Sequence, residues 1–350
     1  MKVLNCGVAI CVFLGFAAAH AATSRVYHLE SSTTLKGANP HWDYLALDAA
    51  RGWLFINRRA DGVTVFDTRA GKVVGEIAQS AGANATALIP EFDRGYTTNG
   101  DGSTTVFTVS TLATTTRIKL GDSADAGFYE PKTKQIAFMM GDEHRITFLD
   151  VVTNQVTARL PTQSEQLEAA APDGAGGLFV AERDRDAILR IDAVGHRVVG
   201  EWTIAGCRQP TGLAFDRADQ RLFIGCRGAT PVLAVLRTDT GATIITLPIG
   251  RGNDGVIYDA ESRRVFTSNG IDANLVVFDQ NDPDHYIMSQ AVTTRPIART
   301  LAFDPGTKKL YTVTAEGMVD PSKPVNEEAG PFYPNSYFTD TFTVLTYAPR

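Results

Sequence analysis

The stretch Asp43-Tyr-Leu-Ala-Leu-Asp48, followed by Trp53-Leu-Phe-Ile56 and Gly62-Val-Thr-Val-Phe-Asp67, decides the fold. These short apolar segments are rich in β-forming residues, have no helical period and are separated by turn residues, so they predict three successive strands. The position of Asp48 recurs at residues 89, 130, 173, 216, 259 and 304, a period of 41 to 45 residues. Seven such repeats predict an all-β, seven-bladed β-propeller with four strands in each blade.

The two ends of the chain are expected to meet in the last blade. Arg25-Val-Tyr-His-Leu-Glu30 precedes the first full repeat, and Phe342-Thr-Val-Leu-Thr-Tyr347 lies close to the C-terminus. An N-terminal strand that completes the last blade would close the ring and leave no open sheet edge. The last repeat also carries a proline-rich insertion at about residues 317–337. We expect it to be either an ordered loop over one mouth of the channel or a flexible surface excursion.

The N-terminus has the features of a secretion signal. Lys2 is followed by an apolar stretch at residues 8–19 and by Ala19-His20-Ala21, which has the form that a signal peptidase requires. We predict a signal peptide at residues 1–21 and a single propeller domain at residues 22–350, periplasmic or secreted. The alternative is an uncleaved anchor, but the apolar run is short for a membrane span, so we expect no spanning segment after cleavage.

Two cysteines, Cys207 and Cys226, would remain in the mature chain, because Cys6 and Cys11 precede the cleavage site. In an exported protein this number predicts one disulfide bond. The repeat register places Cys207 just before the inner strand of the fifth blade and Cys226 at the end of the next strand, so both lie at one blade edge. Two free buried thiols are the alternative.

The charge pattern argues against a nucleic-acid partner. The net charge is −6 and the chain has no basic run, whereas nucleic-acid binding requires a basic patch. A nucleophile elbow, a P-loop and a covalent-haem motif are also missing from the sequence. The partners that remain are a small-molecule ligand or another exported protein.

One repeat position carries polar residues where an apolar strand should begin. It lies five residues before each recurring position and holds Asp43, Asn84, Asp125, Glu168, Thr211, Asp254 and Arg299. At the start of the innermost strands, these residues should form a ring around the channel axis at one mouth. Converging carboxylates raise one another's pKa unless a cation compensates them. Arg299 would supply part of that compensation, and a bound metal ion or an amine-bearing ligand the rest.

Oxygen ligands suit Ca²⁺ or Mg²⁺, so the candidate metal ligands are Asp43, Asp125, Glu168 and Asp254. The alternative is a solvated channel lining that needs no ligand. A second polar set, expected at the same mouth near Arg58 and Arg59, contains Asn57, Asn99, Glu182, Asn269 and Glu316. It forms either an outer wall of the site or ordinary turn residues. His41 could also reach this mouth.

The repeats resemble those of the YVTN-type, YncE-like family of exported propellers. The resemblance covers the predicted mature chain and rests on Trp42-Asp43-Tyr44-Leu45, Pro210-Thr-Gly-Leu-Ala214, Arg221-Leu-Phe-Ile-Gly-Cys226 and Ala298-Arg-Thr-Leu-Ala-Phe-Asp304. It implies a seven-bladed propeller but no particular reaction. Family members often carry His at the second-blade ring position, where this chain has Asn84, so the resemblance implies no His-based chemistry there.

The sequence leaves more than one class of function open. The first is an exported YncE-like binding protein with an acidic axial site for a ligand or cation. The second is a metal-dependent hydrolase, lactonase or lyase, in which a divalent ion activates water or a carbonyl and an axial carboxylate acts as general base. Arg299 would then stabilise the oxyanion. A redox quinoprotein is the third, although the sequence offers no recognisable cofactor site.

Overall fold

The structure, a computed structural model, describes residues 26–37 and 41–350. The predicted signal peptide, with its cleavage site, lies outside the described residues. Within residues 26–37 and 41–350, no helix has the length and apolar character that crossing a membrane requires. Short 3₁₀ turns occur at Pro90–Phe92, Gly141–Glu143 and Arg183–Arg185, and strands supply the rest of the regular structure described.

The first six blades are four-stranded antiparallel sheets whose strands follow chain order. Strand β1 (Tyr27–Leu35) precedes them in the chain. The first blade consists of β2 (Leu45–Asp48), β3 (Trp53–Asn57), β4 (Val63–Asp67) and β5 (Lys72–Ile77). The second consists of β6 (Ala83–Ile89), β7 (Arg94–Asn99), β8 (Ser103–Thr108) and β9 (Thr114–Lys119). The third consists of β10 (Ala126–Glu130), β11 (Gln135–Met140), β12 (Arg145–Asp150) and β13 (Gln155–Pro161).

The next three blades repeat this plan. The fourth consists of β14 (Leu167–Pro172), β15 (Gly177–Glu182), β16 (Ala187–Asp192) and β17 (Arg197–Thr203). The fifth consists of β18 (Pro210–Asp216), β19 (Arg221–Cys226), β20 (Val232–Arg237) and β21 (Thr243–Pro248). The sixth consists of β22 (Asn253–Asp259), β23 (Arg264–Asn269), β24 (Asn274–Asp282) and β25 (His285–Thr293).

The last blade joins the two ends of the chain. It contains β26 (Ala302–Phe303), β27 (Leu310–Thr314) and β30 (Phe342–Pro349), and β1 is its outer strand. Strand β1 pairs with β30 from Tyr27 opposite Pro349 to Leu35 opposite Phe342. The first strands of the blades contact one another around the ring, and β2 meets β26. The predicted seven-bladed, all-β propeller, closed by an N-terminal strand, is therefore confirmed.

Aromatic pairs between neighbouring blades explain why the repeat keeps its apolar positions. The ring of Phe223, on the second strand of the fifth blade, lies 5.0 Å from that of Tyr258, on the first strand of the sixth. Phe266 makes the equivalent contact with Phe303 of the last blade at 5.5 Å. Such pairs contribute about 0.5–1.5 kcal/mol beyond their area burial. In these two blades, the aromatic residue just before the recurring position therefore packs the sheet against the preceding one.

The predicted disulfide bond is confirmed. Cys207 and Cys226 are bonded, with their Cα atoms 5.4 Å apart. Cys226 ends β19 and pairs with Pro210, the first residue of the inner strand, and Cys207 lies three residues before Pro210. Both side chains are buried in the core between the fourth and fifth blades. The bond therefore fixes the connection that enters the fifth blade.

The insertion in the last blade is ordered and lies over the mouth where the inner strands begin. Its base is closed by a small hairpin of β28 (Gly317–Met318) and β29 (Ser336–Tyr337). The hydroxyl of Tyr333 accepts a hydrogen bond from the backbone N–H of Ile297 and donates one to the carbonyl of Gly270, both at 2.9 Å. These contacts fit the first of the two expectations for this segment.

Candidate functional site

The predicted ring position lies at the start of the innermost strands, and in four of the described blades it falls within a β-bulge. The pairing register shifts there between β6 and β7, β14 and β15, β18 and β19, and β22 and β23. The residues at these shifts include Asn84, Glu168, Thr211 and Asp254. A bulge removes a residue from the ladder and re-aims its side chain. This local irregularity explains how polar side chains can leave the sheet at the mouth.

Arg299 joins two of the predicted carboxylates. Its Nε lies 3.2 Å from Oδ2 of Asp254, and its Nη2 lies 3.8 Å from Oδ1 of Asp43. Asp254 also accepts a 2.8 Å hydrogen bond from Nη1 of Arg227, and Asp43 accepts one from Arg59. Burial opposes the charge on Arg299, but Asp254 and Asp43 outweigh it and raise the pKa of the guanidinium. The mouth therefore holds an alternating chain of acids and arginines.

Glu168 and Asp125 have different surroundings. Oε1 of Glu168 lies 3.2 Å from Nη1 of Arg183. Burial raises the pKa of Glu168, and the charge of Asp254 adds to the effect. Among the described residues, the Asp125 carboxylate has no ion pair with an arginine or lysine. Burial raises its pKa to about 8, and the nearby carboxylates of Asp43 and Glu168 contribute. Asp125 is thus the least compensated acid of the ring.

Tyr44 lies among these carboxylates. Its side chain comes from the first blade but packs against the core of the third and fourth blades, so it crosses the channel. Burial, followed by the charges of Glu168, Asp125, Asp254 and Asp43, raises its pKa well above the usual value. The Tyr44 ring therefore occupies part of the central channel.

The two uncharged members of the ring bind backbone. The side-chain nitrogen of Asn84 donates a 3.2 Å hydrogen bond to the carbonyl of Ala124, and the backbone carbonyl of Asn84 accepts one from the N–H of Tyr44. The hydroxyl of Thr211 donates a 3.2 Å hydrogen bond to the carbonyl of Gln209. Both residues are buried. Asn84 thus ties the second blade to both of its neighbours, whereas the hydrogen bond of Thr211 stays within its own segment.

The second polar set is mostly part of the interior. Asn57, Asn99, Glu182 and Asn269 are fully buried, whereas Glu316 is exposed. The amide of Asn57 donates to the carbonyl of Tyr44 at 2.7 Å and accepts from the hydroxyl of Thr86 at 2.8 Å. Arg58 is also buried, and its guanidinium lies 4.6 Å from the ring centre of Phe342. These residues support strand ends next to the mouth.

The arginines that pair with the ring were largely missed by sequence reasoning. Arg299 was predicted and Arg59 was noted only as a neighbour of the second set. Arg183 and Arg227 were not singled out. Arg59, Arg183 and Arg227 each lie one or two residues past the second strand of their blade. Extending the repeat alignment past that strand would have found them, because the turn there returns to the mouth.

A cavity of about 460 Å³ lies between this mouth and the insertion. Its lining includes Arg227 and Arg299 from the ring side, His41 and Trp42 from the segment before β2, and Val325, Asn326, Tyr333 and Tyr337 from the insertion. Its volume is within the range of small-molecule sites. Among the described residues, Arg299 is the one member of the predicted ring that lines it.

The lining of this cavity, which we call the mouth cavity, is positively charged. Its charged side chains are Arg227 and Arg299, and no described Asp or Glu lines it. Partial burial lowers the pKa of His41, and the positive charges of Arg59, Lys323 and Arg299 lower it further. The acidic ring therefore lies beneath the arginines, and an entering molecule would first meet the cations.

No metal centre is evident in the part of the chain that the structure describes. Across residues 26–37 and 41–350, no three His, Cys, Asp or Glu side chains are grouped so that they could hold a metal ion. The divalent-cation site at Asp43, Asp125, Glu168 and Asp254 stays a prediction.

Comparisons with known proteins show the fold alone. No protein-family model matches the chain, and no curated protein matches it. A chain from the Kuenenia stuttgartiensis hydrazine synthase is 16% identical, with a TM-score of 0.68, and the match covers 81% of this chain and 95% of that one. The WD40 repeats of RRP9 are 8% identical, with a TM-score of 0.73 and coverage of 91% and 97%. A chain of the mitotic checkpoint complex is 13% identical, with a TM-score of 0.71 and coverage of 99% of both chains.

Proposed function

We propose that the protein is an exported, YncE-like propeller that binds a small molecule in the mouth cavity. The observation that carries this proposal is the cavity itself, about 460 Å³ between the channel mouth and an ordered insertion. On the ring side, the cavity is bounded by the alternating chain of acids and arginines. The buried ion pairs of this chain fix the guanidinium groups of Arg227 and Arg299 in place. A rigid ring with a longer loop over one mouth is a common arrangement for binding sites.

Export is supported by the disulfide bond between Cys207 and Cys226. Such bonds form and persist in oxidising compartments and are rare in the cytosol. A protein partner is a further possibility for this fold, since one similar structure is a chain of the mitotic checkpoint complex. The cavity favours a small molecule as the primary ligand.

The test is retention of a small molecule by the purified protein. Protein incubated with a metabolite extract is desalted and denatured, and the released compounds are identified by mass spectrometry. Val325, half-exposed in the cavity lining, is replaced by Trp to add bulk there. Val152, similarly exposed in a turn outside the lining, receives the same replacement as the control. We expect one compound with the wild type and with Val152→Trp, and its loss with Val325→Trp. Equal retention by all three forms, or no retention, would refute the proposal.

The second candidate is a metal-dependent hydrolase or lyase using Asp43, Asp125, Glu168 and Asp254. The observation that favours it is the uncompensated carboxyl of Asp125, whose pKa is raised to about 8, the property of a general base near neutral pH. A divalent ion bound only by the folded ring would stabilise it by about 2.7 kcal/mol at a hundredfold excess over the dissociation constant. The test is the melting temperature with Ca²⁺ or Mg²⁺, for the wild type and for Asp125→Asn. An unchanged wild-type midpoint contradicts this candidate.

A further inference from the structure

We propose that the ligand of the mouth cavity carries a carboxylate, which takes the position that Glu328 of the insertion occupies on Arg227. This inference rests on the proposed function and names the chemical class of its ligand. It follows from the charge of the lining, from incomplete hydrogen bonding at Arg227, and from the aromatic side chains of the cavity.

The charges of the cavity select an anion. Arg227 and Arg299 line it, and no carboxylate does so among the described residues. The acids that pair with these arginines are Asp43 and Asp254, which are buried at the ring, and Glu328 of the insertion. A cationic ligand in the cavity would face two guanidinium groups, whereas an anionic ligand would complete the alternating chain of charges.

The pairing of Arg227 is incomplete. Its Nη1 donates to Asp254 at 2.8 Å, and its Nη2 donates to Oε2 of Glu328, also at 2.8 Å. Its buried Nε has no hydrogen-bond partner among the described residues, and neither has the buried Oε1 of Glu328. Arginine and carboxylate groups commonly pair through two parallel hydrogen bonds. Glu328 makes only one of them, so a ligand carboxylate that makes both would displace it.

Aromatic side chains form part of the cavity wall. Trp42 lines the cavity, is 5% exposed, and has a buried indole N–H with no hydrogen-bond partner among the described residues. Buried donors of this kind are normally satisfied. This nitrogen has no surface open to the cavity. Trp42 therefore offers a ligand its ring, and with Tyr333 and Tyr337 it provides apolar contact.

Glu328 can leave Arg227 without undocking the insertion. It lies in a short turn in which the N–H groups of Ala329 and Gly330 bond to the carbonyl of Asn326. The insertion is anchored separately, through the hydroxyl of Tyr333 and through the hairpin at its base. Movement of this turn would therefore free one side of the Arg227 guanidinium while the rest of the insertion stays in place.

The experiment uses benzoate as the probe, with benzamide and benzylamine as uncharged and cationic analogues of similar size. Binding is followed by NMR through the imidazole signal of His41, which lines the cavity. The variants are Glu328→Gln, which keeps the side-chain shape but removes the charge, and Glu327→Gln, the same change at the exposed neighbouring residue. Removing a competing charge-assisted hydrogen bond should strengthen benzoate binding about tenfold.

The expected result is benzoate binding to the wild type and to Glu327→Gln with equal affinity, about tenfold tighter binding to Glu328→Gln, and a rise in the pKa of His41 on binding. Benzylamine binding without benzoate binding would overturn the inference, as would equal benzoate affinity in all three forms. If no probe binds even to Glu328→Gln, the carboxylate inference fails. The metabolite-retention experiment with Val325→Trp then decides independently whether the cavity binds any small molecule.

Discussion

Nε of Arg299, in the last blade, lies 3.2 Å from Oδ2 of Asp254, in the sixth blade. Replacing Arg299 with Met would leave Asp254 with Arg227 and Asp43 with Arg59 as their remaining partners. We expect a loss of about 2 kcal/mol in the free energy of unfolding, below the usual cost of breaking a buried pair because each acid keeps one arginine.

Urea denaturation measures this loss. The control is the same change at Arg295, which is exposed and should alter the stability by less than about 0.5 kcal/mol. Adding Asp254→Asn to Arg299→Met should recover part of the loss, since it removes a charge that has lost a partner. Equal stabilities of Arg299→Met and Arg295→Met would show that the chain of acids and arginines does not stabilise the fold.

The disulfide bond should contribute measurably to stability. Cys207 and Cys226 are 19 residues apart, and closing a loop of this size adds about 3 kcal/mol in the chain-entropy model. We expect a reductant to lower the midpoint of urea unfolding in the wild type and to leave the Cys207→Ala, Cys226→Ala double variant unchanged. Two reactive thiols in the unfolded, unreduced wild type would show that the bond does not form.

Closure of the ring by β1 can be tested at one residue. Tyr27 is 3% exposed, its ring lies 5.3 Å from that of Phe266, and its hydroxyl donates to the carbonyl of Lys308 at 2.9 Å. Tyr27→Ala should cost about 3–5 kcal/mol, as for other large buried side chains. Leu29, on the same strand, is 46% exposed, and Leu29→Ala is the control. Thermal or urea unfolding with equal effects of the two changes would refute docking of β1.

The fold could be predicted because one pattern is repeated seven times. Each copy places short apolar segments between turn residues, and four of the seven have an aromatic residue just before the recurring position. Phe303 and Tyr258 are two of these, and each packs against the preceding blade. Unmatched segments at the two ends indicated the closure, and two cysteines in register indicated the disulfide bond. Local pattern and global architecture agree here, so the sequence specified both.

The same reasoning predicted less of the candidate site than of the fold. The ring position was found because every blade repeats a polar residue there. An arginine follows the second strand in only three of the seven blades, as Arg59, Arg183 and Arg227, so its repeat signal is weaker. Contacts between residues of different blades do not occur at any fixed spacing in the sequence. Tyr44 reaches cores two and three blades away, and Glu328 meets Arg227 from an insertion. Such partners are set by the closed ring and cannot be assigned from a single strand.

Asp125 should make the stability of the protein depend on pH. Burial raises its pKa to about 8 in the folded protein, whereas an unfolded Asp titrates at about 3.9. Between these values the folded state binds more protons than the unfolded state, so the free energy of unfolding falls as pH rises. Asn at this position is always neutral and removes this fall.

Asp125→Asn should therefore match the wild type near pH 4 and exceed its free energy of unfolding near pH 9, by up to about 5 kcal/mol for a pKa difference of this size. Urea denaturation at a series of pH values measures the difference. Asp122, exposed in the turn before β10, provides the matched control, since Asp122→Asn should run parallel to the wild type throughout. If the Asp125→Asn curve also runs parallel to the wild type, the carboxyl of Asp125 is solvated and ionised in the folded channel. The second candidate function would then lose its proposed base.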